Sequence, residues 1–430
     1  MENFLFYNPT KIIFGKGTIK NIAREIKRYG KKPLFVYGTG SIKKTGLYDK
    51  IVKILKENDI DFMEHAGVKS NPVLSHTHEG IRKAEENNCN IILAVGGGSV
   101  IDEGKAIAAG VLHEGLVWDF FNGSANIKKA LPIITVLTIA ATGSEMNAGC
   151  VITKEETKQK FSAHSPHLFP KVSILDPENT MSVSKEYTAY GVIDALSHVL
   201  EGYFSAQNDS AFITDEICEG ICRTLIKSMN ILQKEPSNYD ARANIMWSAT
   251  LALNGLQSLG YKNTEFINHA IEHSLSAIYN IPHGAGLSIV IPAYLKFNLQ
   301  KGNFKAMPSV VSTSYAHQTT KAMPGSHLWR DKAMPGAVTG NRAHQTAKRI
   351  VRFGKKVLNI SGKDDKAIAK ETIEAIKKWF SKIGAPITLA EVNIPEKDIP
   401  KITENAMELI KLWGMSYAKK SVQEILSLSK

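Results

Sequence analysis

The stretch Ile91-Ile-Leu-Ala-Val95-Gly96-Gly-Gly-Ser99-Val-Ile-Asp102-Glu-Gly-Lys105 runs from an apolar segment through a glycine turn into a helical pattern. Its uninterrupted apolar run reads as a strand buried on both faces, as in a parallel sheet. The three glycines let a backbone approach a pyrophosphate, and amides at the start of the following helix can bind its oxygens. Strand, glycine turn and helix in that order form the local unit of a doubly wound α/β sheet. Glycine turns are common, and this one differs from Gly-x-Gly-x-x-Gly, so alone it does not establish a cofactor.

The same unit recurs on either side. Upstream, Pro33-Leu-Phe-Val-Tyr37 is a short buried strand that enters Gly38-Thr-Gly-Ser-Ile-Lys-Lys-Thr-Gly46 and then a helix over 47–58. Gly38, Gly40, Ser41 and Lys43 are candidate nucleotide contacts there, the alternative being a plain surface turn. Many NAD enzymes place an acidic residue near the end of such a strand, where it would repel a 2′-phosphate; none stands among Gly38, Thr39, Gly40 and Ser41. Downstream of a helix over 74–87 and the Ile91 unit, Leu131 to Thr138 is a further strand. It ends in Ile139-Ala-Ala-Thr-Gly-Ser144-Glu-Met-Asn147, whose hydroxyls and amide sit where an open α/β sheet presents its ligand crevice. Residues 4–14, with Asn8-Pro9 in the middle, read as a hairpin followed by a helix over 19–29.

After Asp176-Pro177 the strand-like runs stop. From 185 nearly to the end, segments such as 212–233, 240–255, 264–279 and 365–383 place apolar residues at three- and four-residue spacing. The predicted architecture is a Rossmann-like α/β nucleotide-binding domain with a parallel sheet over 1–184, followed by an all-α metal-binding domain over 185–430. The cleft between them is the expected ligand site.

The helical half opens with Gly191-Val-Ile-Asp194-Ala-Leu-Ser-His198 and continues with Asn268-His269-Ala-Ile-Glu-His273 and Asn280-Ile-Pro-His283-Gly-Ala-Gly286. Residues four apart on a helix point the same way, so Asp194 and His198 can face one ion, and His269 and His273 repeat the spacing. His283 would lie ~21 Å beyond His269 on an unbroken helix, so the chain must turn between them. Pro282 supplies the break, since it donates no amide hydrogen and biases Ile281 away from helix. One carboxylate with two or three imidazoles suits Fe(II) or Zn(II) rather than Ca²⁺ or Mg²⁺. A lone Asp-x-x-x-His pair reads equally well as a helix carboxylate beside a core histidine; three convergent histidines favour the metal.

These segments, with Gly-Gly-Gly-Ser-x-x-Asp followed by lysine, resemble the iron-containing (group III) alcohol dehydrogenase family over 1–305 and 349 to about 425. Within it they are most similar to the NADPH-dependent butanol dehydrogenase branch. The resemblance implies a dehydroquinate synthase-like architecture with metal ligands at Asp194, His198, His269 and His283. It puts a further active-site histidine, His273, near the nicotinamide and the substrate. Cofactor contacts follow at Gly97, Gly98 and Ser99, with Asp102 fixing the loop, Thr138 and Asn147 on the nicotinamide side, and Lys160 nearby. NAD-preferring members tend to carry Asp at the position of Thr39, so NADP(H) is implied here, as is a homodimer through N-terminal strands.

The reaction implied is reversible hydride transfer between NADP(H) and a short- to medium-chain aldehyde or primary alcohol, with Fe²⁺ or Zn²⁺ as Lewis acid. His273 is the candidate for proton relay or cofactor positioning. Trp118, Phe120, Phe121 and Leu253 form apolar walls for the substrate, or else belong to the core. Two alternatives are a dehydroquinate synthase-like lyase, whose charged substrate would require several Arg/Lys at the metal segments, and a scaffold that displays an insert.

That insert is the segment 306–348, which has no counterpart in the resemblance. Lys-Ala-Met-Pro occurs at Lys305, Lys321 and Lys332, and Ala-His-Gln-Thr at Ala316 and Ala343, too few and too irregular for a solenoid. Rich in Pro, Gly, Ser and Thr, it reads as a long exposed loop or an added element that the core tolerates. Its histidines, His317, His327 and His344, are not expected to hold a metal.

At 430 residues the chain exceeds what one core usually supports, which also points to two domains. The net charge of +12 comes from lysines scattered at helical spacings, such as 366–382 and 411–420, so a solvated face is expected rather than a nucleic-acid site. The N-terminus lacks a basic and apolar leader, and the longest apolar run, Leu131 to Ala141, is too short to span a bilayer. A cytoplasmic enzyme with a small-molecule substrate and no membrane partner is expected. Cys89, Cys150, Cys218 and Cys222 form no Cys-x-x-Cys pair and read as packing residues.

Overall fold

A computed structural model of the chain describes residues 1–302, 340–362 and 364–430. The described residues form eight strands: β1 (Lys11–Phe14), β2 (Pro33–Gly38), β3 (Met63–Val68), β4 (Ile91–Gly96), β5 (Ile133–Leu137), β6 (Gly149–Lys154), β7 (Gln159–His164) and β8 (Val172–Leu175). Six of them make one sheet in the order β1-β8-β5-β4-β2-β3, parallel throughout. Helices cover such a sheet on both faces, which is why β4, β5 and β8 are buried along their whole length and read as continuous apolar runs. Because β2, β4 and β5 are neighbours running the same way, the loops after them, at Gly38, Gly96 and Thr138, emerge along one edge. The remaining strands, β6 and β7, pair antiparallel as a separate hairpin.

From Lys185 the described chain is helical. Three of these helices begin on side-chain caps: Ser184 accepts from Tyr187 N, Asn238 from Ala241 N, and Asp364 from Lys366 N and Ala367 N. One apolar core continues from Leu34 and Ile92 in the sheet to Val199, Ile271 and Ile289 in the helices. All four cysteines are buried free thiols within it or against it. Among the described residues no helix is long and apolar enough to cross a membrane.

Several expectations are corrected. Residues 4–14 form no hairpin: Pro9 offers no amide, and Asn8 Nδ2 is spent on Met146 O (2.8 Å) and Asn254 O (3.2 Å), so the segment is tethered across the molecule. Only Lys11–Phe14 is extended, pairing with β8 at the sheet edge. The helix read over 19–29 is a 3₁₀ turn, Thr18–Asn21, followed by an α-helix from Ile22.

The segment read as an exposed insert is helical from Gly340, in a helix that runs to Val357. Ala343, Thr346, Ala347 and Ile350, spaced three and four apart, are buried there, and Arg342 pairs with Glu265 at 2.6 Å. The repeats at Lys305, Ala316, Lys321 and Lys332, with His317 and His327, lie outside the described residues.

A polar cluster joins β3 to the helices Leu74–Glu86 and Gly98–Gly110. Glu103 Oε1 lies 2.9 Å from His65 Nε2 and 2.6 Å from His76 Nδ1, and the two rings stack at 4.1 Å. His76 Nε2 is 3.1 Å from Ala66 O, so both of its nitrogens face oxygen acceptors, as only the imidazolium can satisfy. The bond to Glu103 raises His76 above its ordinary value, against the effect of burial. Burial pushes Glu103 up, but its two imidazole partners outweigh this and hold it below its ordinary value. The stabilisation from His76 is therefore complete below about pH 6.5 and is lost as pH rises through its raised value. His76→Gln should lower stability by about 1–2 kcal/mol at pH 6. In urea denaturation followed by circular dichroism, that deficit should shrink as pH rises through the raised value of His76 and the wild-type imidazole loses its proton.

Candidate metal centre and nucleotide cleft

Asp194 and His198 project from successive turns of the helix Lys185–Ser205, and His269 and His273 from the helix Ile267–Tyr279. Asn280 ends the latter in the left-handed conformation (φ 53°), its N–H returning to Ser276 O. Pro282 then starts the helix His283–Lys301, so His283 is carried back to the same place. The break read at Asn280–Pro282 is where the chain turns.

The four side chains converge. Asp194 Oδ1 lies 3.5 Å from His198 Nε2, 3.9 Å from His269 Nε2 and 3.5 Å from His283 Nε2. These are too long for hydrogen bonds, yet close to the ~3.4 Å that separates ligands held about 2.1 Å from one tetrahedral ion. By contrast the 2.6–2.9 Å contacts of the Glu103 cluster are hydrogen bonds. Asp194 Oδ1 and His269 Nε2 are buried without a hydrogen-bond partner, a costly condition that a cation would relieve. Burial raises the Asp194 carboxyl to about 7. Burial and the neighbouring imidazoles hold His198 well below the ordinary range, and burial, Lys160 and His269 do the same for His283, so both are neutral, the form a metal requires. The donor set fits a divalent ion.

Two glutamates that the sequence reading missed orient these rings. Glu201 Oε1 accepts from His269 Nδ1 at 2.5 Å, while Glu201 also takes the N–H groups of Asn268 and His269, each at 2.9 Å. That carboxylate outweighs burial and raises His269 above its ordinary value. Glu272 holds His283 Nδ1 and the Ser276 hydroxyl, and both rings thus turn Nε2 toward Asp194. The available signal was position: Glu201 is three residues after His198, and Glu272 immediately precedes His273.

His273 stands beside this centre, its ring 5.5 Å from that of His283 and 6.3 Å from that of His269. Its Nδ1 donates to Lys160 O at 2.9 Å, which leaves Nε2 as an acceptor in the neutral ring. Burial, then Lys160, keeps it neutral by lowering its pKa well below the ordinary value. Lys160 is itself buried, with Nζ 2.9 Å from Asn71 Oδ1 and 3.7 Å from Glu272.

On the nucleotide side Gly97 caps the helix Gly98–Gly110, with Ser99 in its first turn. A Cβ on Gly98 would lie 2.3 Å from Thr142 Oγ1, so a bare backbone is required at the cradle, as a close-lying phosphate also demands. Asp102 is tied to the loop after β5 and to β6, Oδ1 accepting the Ser144 hydroxyl (2.6 Å) and Oδ2 accepting Val151 N (3.0 Å). Thr138 follows β5, its N–H on Gly96 O. Asn147 turns its side-chain oxygen inward, to Lys105 Nζ (3.0 Å) and Gly149 N (2.9 Å). Gly38 ends β2, Gly40 precedes the short helix Ser41–Lys44, and Lys43 Nζ lies 4.6 Å from the Tyr48 ring centroid. Glycines thus stand where β2 and β4 end, with a cation on the short helix after β2.

Trp118, Phe120 and Phe121 are core, not walls: all three are buried, and Trp118 stacks on Phe121 and Phe161. The aromatics beside the metal centre are Phe266, 5.4 Å from His269, and Trp413, 5.7 Å from His273. Leu253 is half-buried, just beyond the helix Tyr239–Ala252.

A family model described as iron-containing alcohol dehydrogenase matches residues 9–177, and one described as Fe-containing alcohol dehydrogenase family, C-terminal, matches 188–430. The chain is 39% identical over 409 residues to a probable NADH-dependent butanol dehydrogenase of Bacillus subtilis, covering 95% of this chain and 94% of the relative. It is 34% identical over 412 residues to an NADPH-dependent aldehyde reductase of Escherichia coli, with 95% and 94% covered. The crystal structure of an NADH-dependent butanol dehydrogenase of Thermotoga maritima matches with a TM-score of 0.87 and 44% identity, over 100% of this chain and 99% of that one.

Glu272→Ala removes the partner of His283 Nδ1 while leaving the four converging side chains in place. It should weaken Zn²⁺ or Fe²⁺ binding by about 10–100-fold, read by equilibrium competition with a chelator.

Proposed function

The chain belongs to the iron-containing alcohol dehydrogenase family, and on that premise we propose that it interconverts short- to medium-chain aldehydes and primary alcohols with NADP(H), in the manner of a butanol dehydrogenase. In this reading Asp194, His198, His269 and His283 hold Fe²⁺ or Zn²⁺. The observation that carries it is the convergence of these four side chains on Asp194 Oδ1, with two buried donor atoms unpartnered. When bound, the ion supplies Lewis-acid polarisation of the substrate oxygen and the nicotinamide supplies or accepts the hydride.

The chain's own groups do the rest. Asp194 contributes the one negative charge among the four donors, and Glu201 and Glu272 hold the tautomers of His269 and His283. His273, fixed through Nδ1 on Lys160 O, offers Nε2 to the hydroxyl proton of an alcohol and returns it in the reverse direction. Burial of Asp194, His198, His269 and His273 excludes water from this side. Phe266 and Trp413, beside His269 and His273, present apolar surface suited to an aliphatic chain.

The preference for NADPH is supported by the turn Gly38-Thr39-Gly40-Ser41, which has no carboxylate, and by Lys43 at its end. Glu64, on the neighbouring strand, is occupied by Tyr37 OH (2.5 Å) and Tyr48 OH (2.8 Å). A second reading, NADH, is favoured by the names of the butanol dehydrogenases of B. subtilis and T. maritima.

Anaerobic assays with butanal and protein reloaded with Fe²⁺ or Zn²⁺ test both. Nicotinamide oxidation should depend on the metal, and Asp194→Ala should lower it by about 10³-fold. A kcat/KM for NADPH at least about tenfold above that for NADH is expected; the reverse ratio would establish NADH as the cofactor. No metal-dependent turnover with either cofactor would remove the dehydrogenase assignment.

A further inference from the structure

Lys105, on the helix Gly98–Gly110, is wholly buried. Its Nζ lies 2.9 Å from Asn147 O, 3.0 Å from Asn147 Oδ1 and 2.8 Å from Gly149 O. An ammonium has three N–H donors and no acceptor, so these three oxygens use it completely. The neutral amine has two N–H donors and would leave one oxygen short.

All three acceptors belong to the segment that leads from the loop after β5 into β6. Thr142, on the same segment, packs against Gly98, and Asp102 takes Ser144 and Val151 from it. The helix carrying Asp102 and Lys105 begins at Gly98 and Ser99, where a pyrophosphate is expected. The segment itself ends beside the hairpin that supports His273.

We propose that Lys105 is a positioning residue for the nicotinamide cofactor, its ammonium clamping residues 142–149 to the helix that starts at Gly98 and so setting the spacing between pyrophosphate cradle and nicotinamide side. The inference rests on the nicotinamide reading given above. The titratable groups around Lys105 are Asp102 on its own helix, Glu145 from the turn Ser144–Met146, Cys150 on β6 and His164 on β7. Burial lowers Lys105 to about 8, with Asp102, Cys150 and Glu145 opposing. Burial also lowers His164 to about 4 and raises Cys150, so both are uncharged near neutrality. The clamp is therefore whole below about pH 8 and loses a donor above it.

Dissociation constants of the full chain for NADPH and NADH, read by nucleotide fluorescence from pH 6.5 to 9.5, test this. They are paired with hydrogen exchange of the cofactor-free protein at one pH. Wild-type affinity should hold to about pH 7 and weaken roughly tenfold by pH 9.5 for both nucleotides. Lys105→Met should bind about tenfold more weakly at pH 7, lose the pH dependence and exchange faster at amides 142–151. Lys105→Arg, which restores the charge, should regain part of the affinity. A flat wild-type profile, or Lys105→Met with wild-type affinity and protection, overturns the proposal; the wild-type profile decides even if the variants do not fold. Wild-type protein that binds neither nucleotide removes the nicotinamide reading and this inference together, whereas binding without pH dependence removes this inference alone.

Discussion

A carboxylate buried among three imidazole nitrogens, with none of them near enough to hydrogen-bond to its Oδ1, is an unstable arrangement without a cation. Asp194 is in that position, and the surrounding helices are organised to keep it there. Glu201 spends one oxygen on His269 Nδ1 and its capacity for two further bonds on the amides that open the same helix. Glu272 does the equivalent for His283 and Ser276. Close approach completes the centre: a Cβ on Gly284 would lie 2.2 Å from Tyr190 O, so His283 reaches Asp194 only because the residue after it has no side chain. The negative charge, the ring tautomers and the helix spacing are thus one constraint rather than three.

The hairpin β6–β7 connects this centre to the nucleotide half. At its β6 end Lys105 takes Gly149 O and Asp102 takes Val151 N, both from the helix that begins at the glycine cradle. At its β7 end Lys160 offers its carbonyl to His273 and its ammonium to Asn71, within 3.7 Å of Glu272. A hydride donor and a polarised carbonyl must be held to within a few tenths of an ångström, and a rigid two-stranded spacer fixed at both ends meets that demand.

Much of the α/β half was legible because its strands are buried on both faces. Such strands appear as unbroken apolar runs, and β2, β4 and β5 lie where those runs predict them. The strand β3, Met63-Glu-His-Ala-Gly-Val68, was missed because half of its residues are polar or glycine, its histidine being buried through a hydrogen bond to Glu103 rather than by apolar packing. The hairpin β6–β7 was missed for a related reason: in Gln159-Lys-Phe-Ser-Ala-His164 only Phe161 and Ala163 are apolar, too short an alternation to mark a strand. The expected hairpin over 4–14 failed because Asn8 is bound to Met146 and Asn254, partners that local pattern cannot disclose.

The amino-acid sequence by itself determined the two kinds of secondary structure and the spacing of Asp194, His198, His269 and His273 on their helices. The helical period places Asp194 above His198 and His269 above His273, and Pro282, which cannot continue a helix, marks the break before His283. The tertiary structure alone decided which buried groups answer one another. Glu201 meets His269 across 68 residues, Lys105 meets Asn147 across 42, and His273 meets Lys160 across 113. It also decided that Trp118 and Phe121 are core while Trp413 and Phe266 stand at the site. Spacing along the chain reports only what lies within a turn or a strand pair, whereas a buried polar atom must find a partner wherever packing brings one.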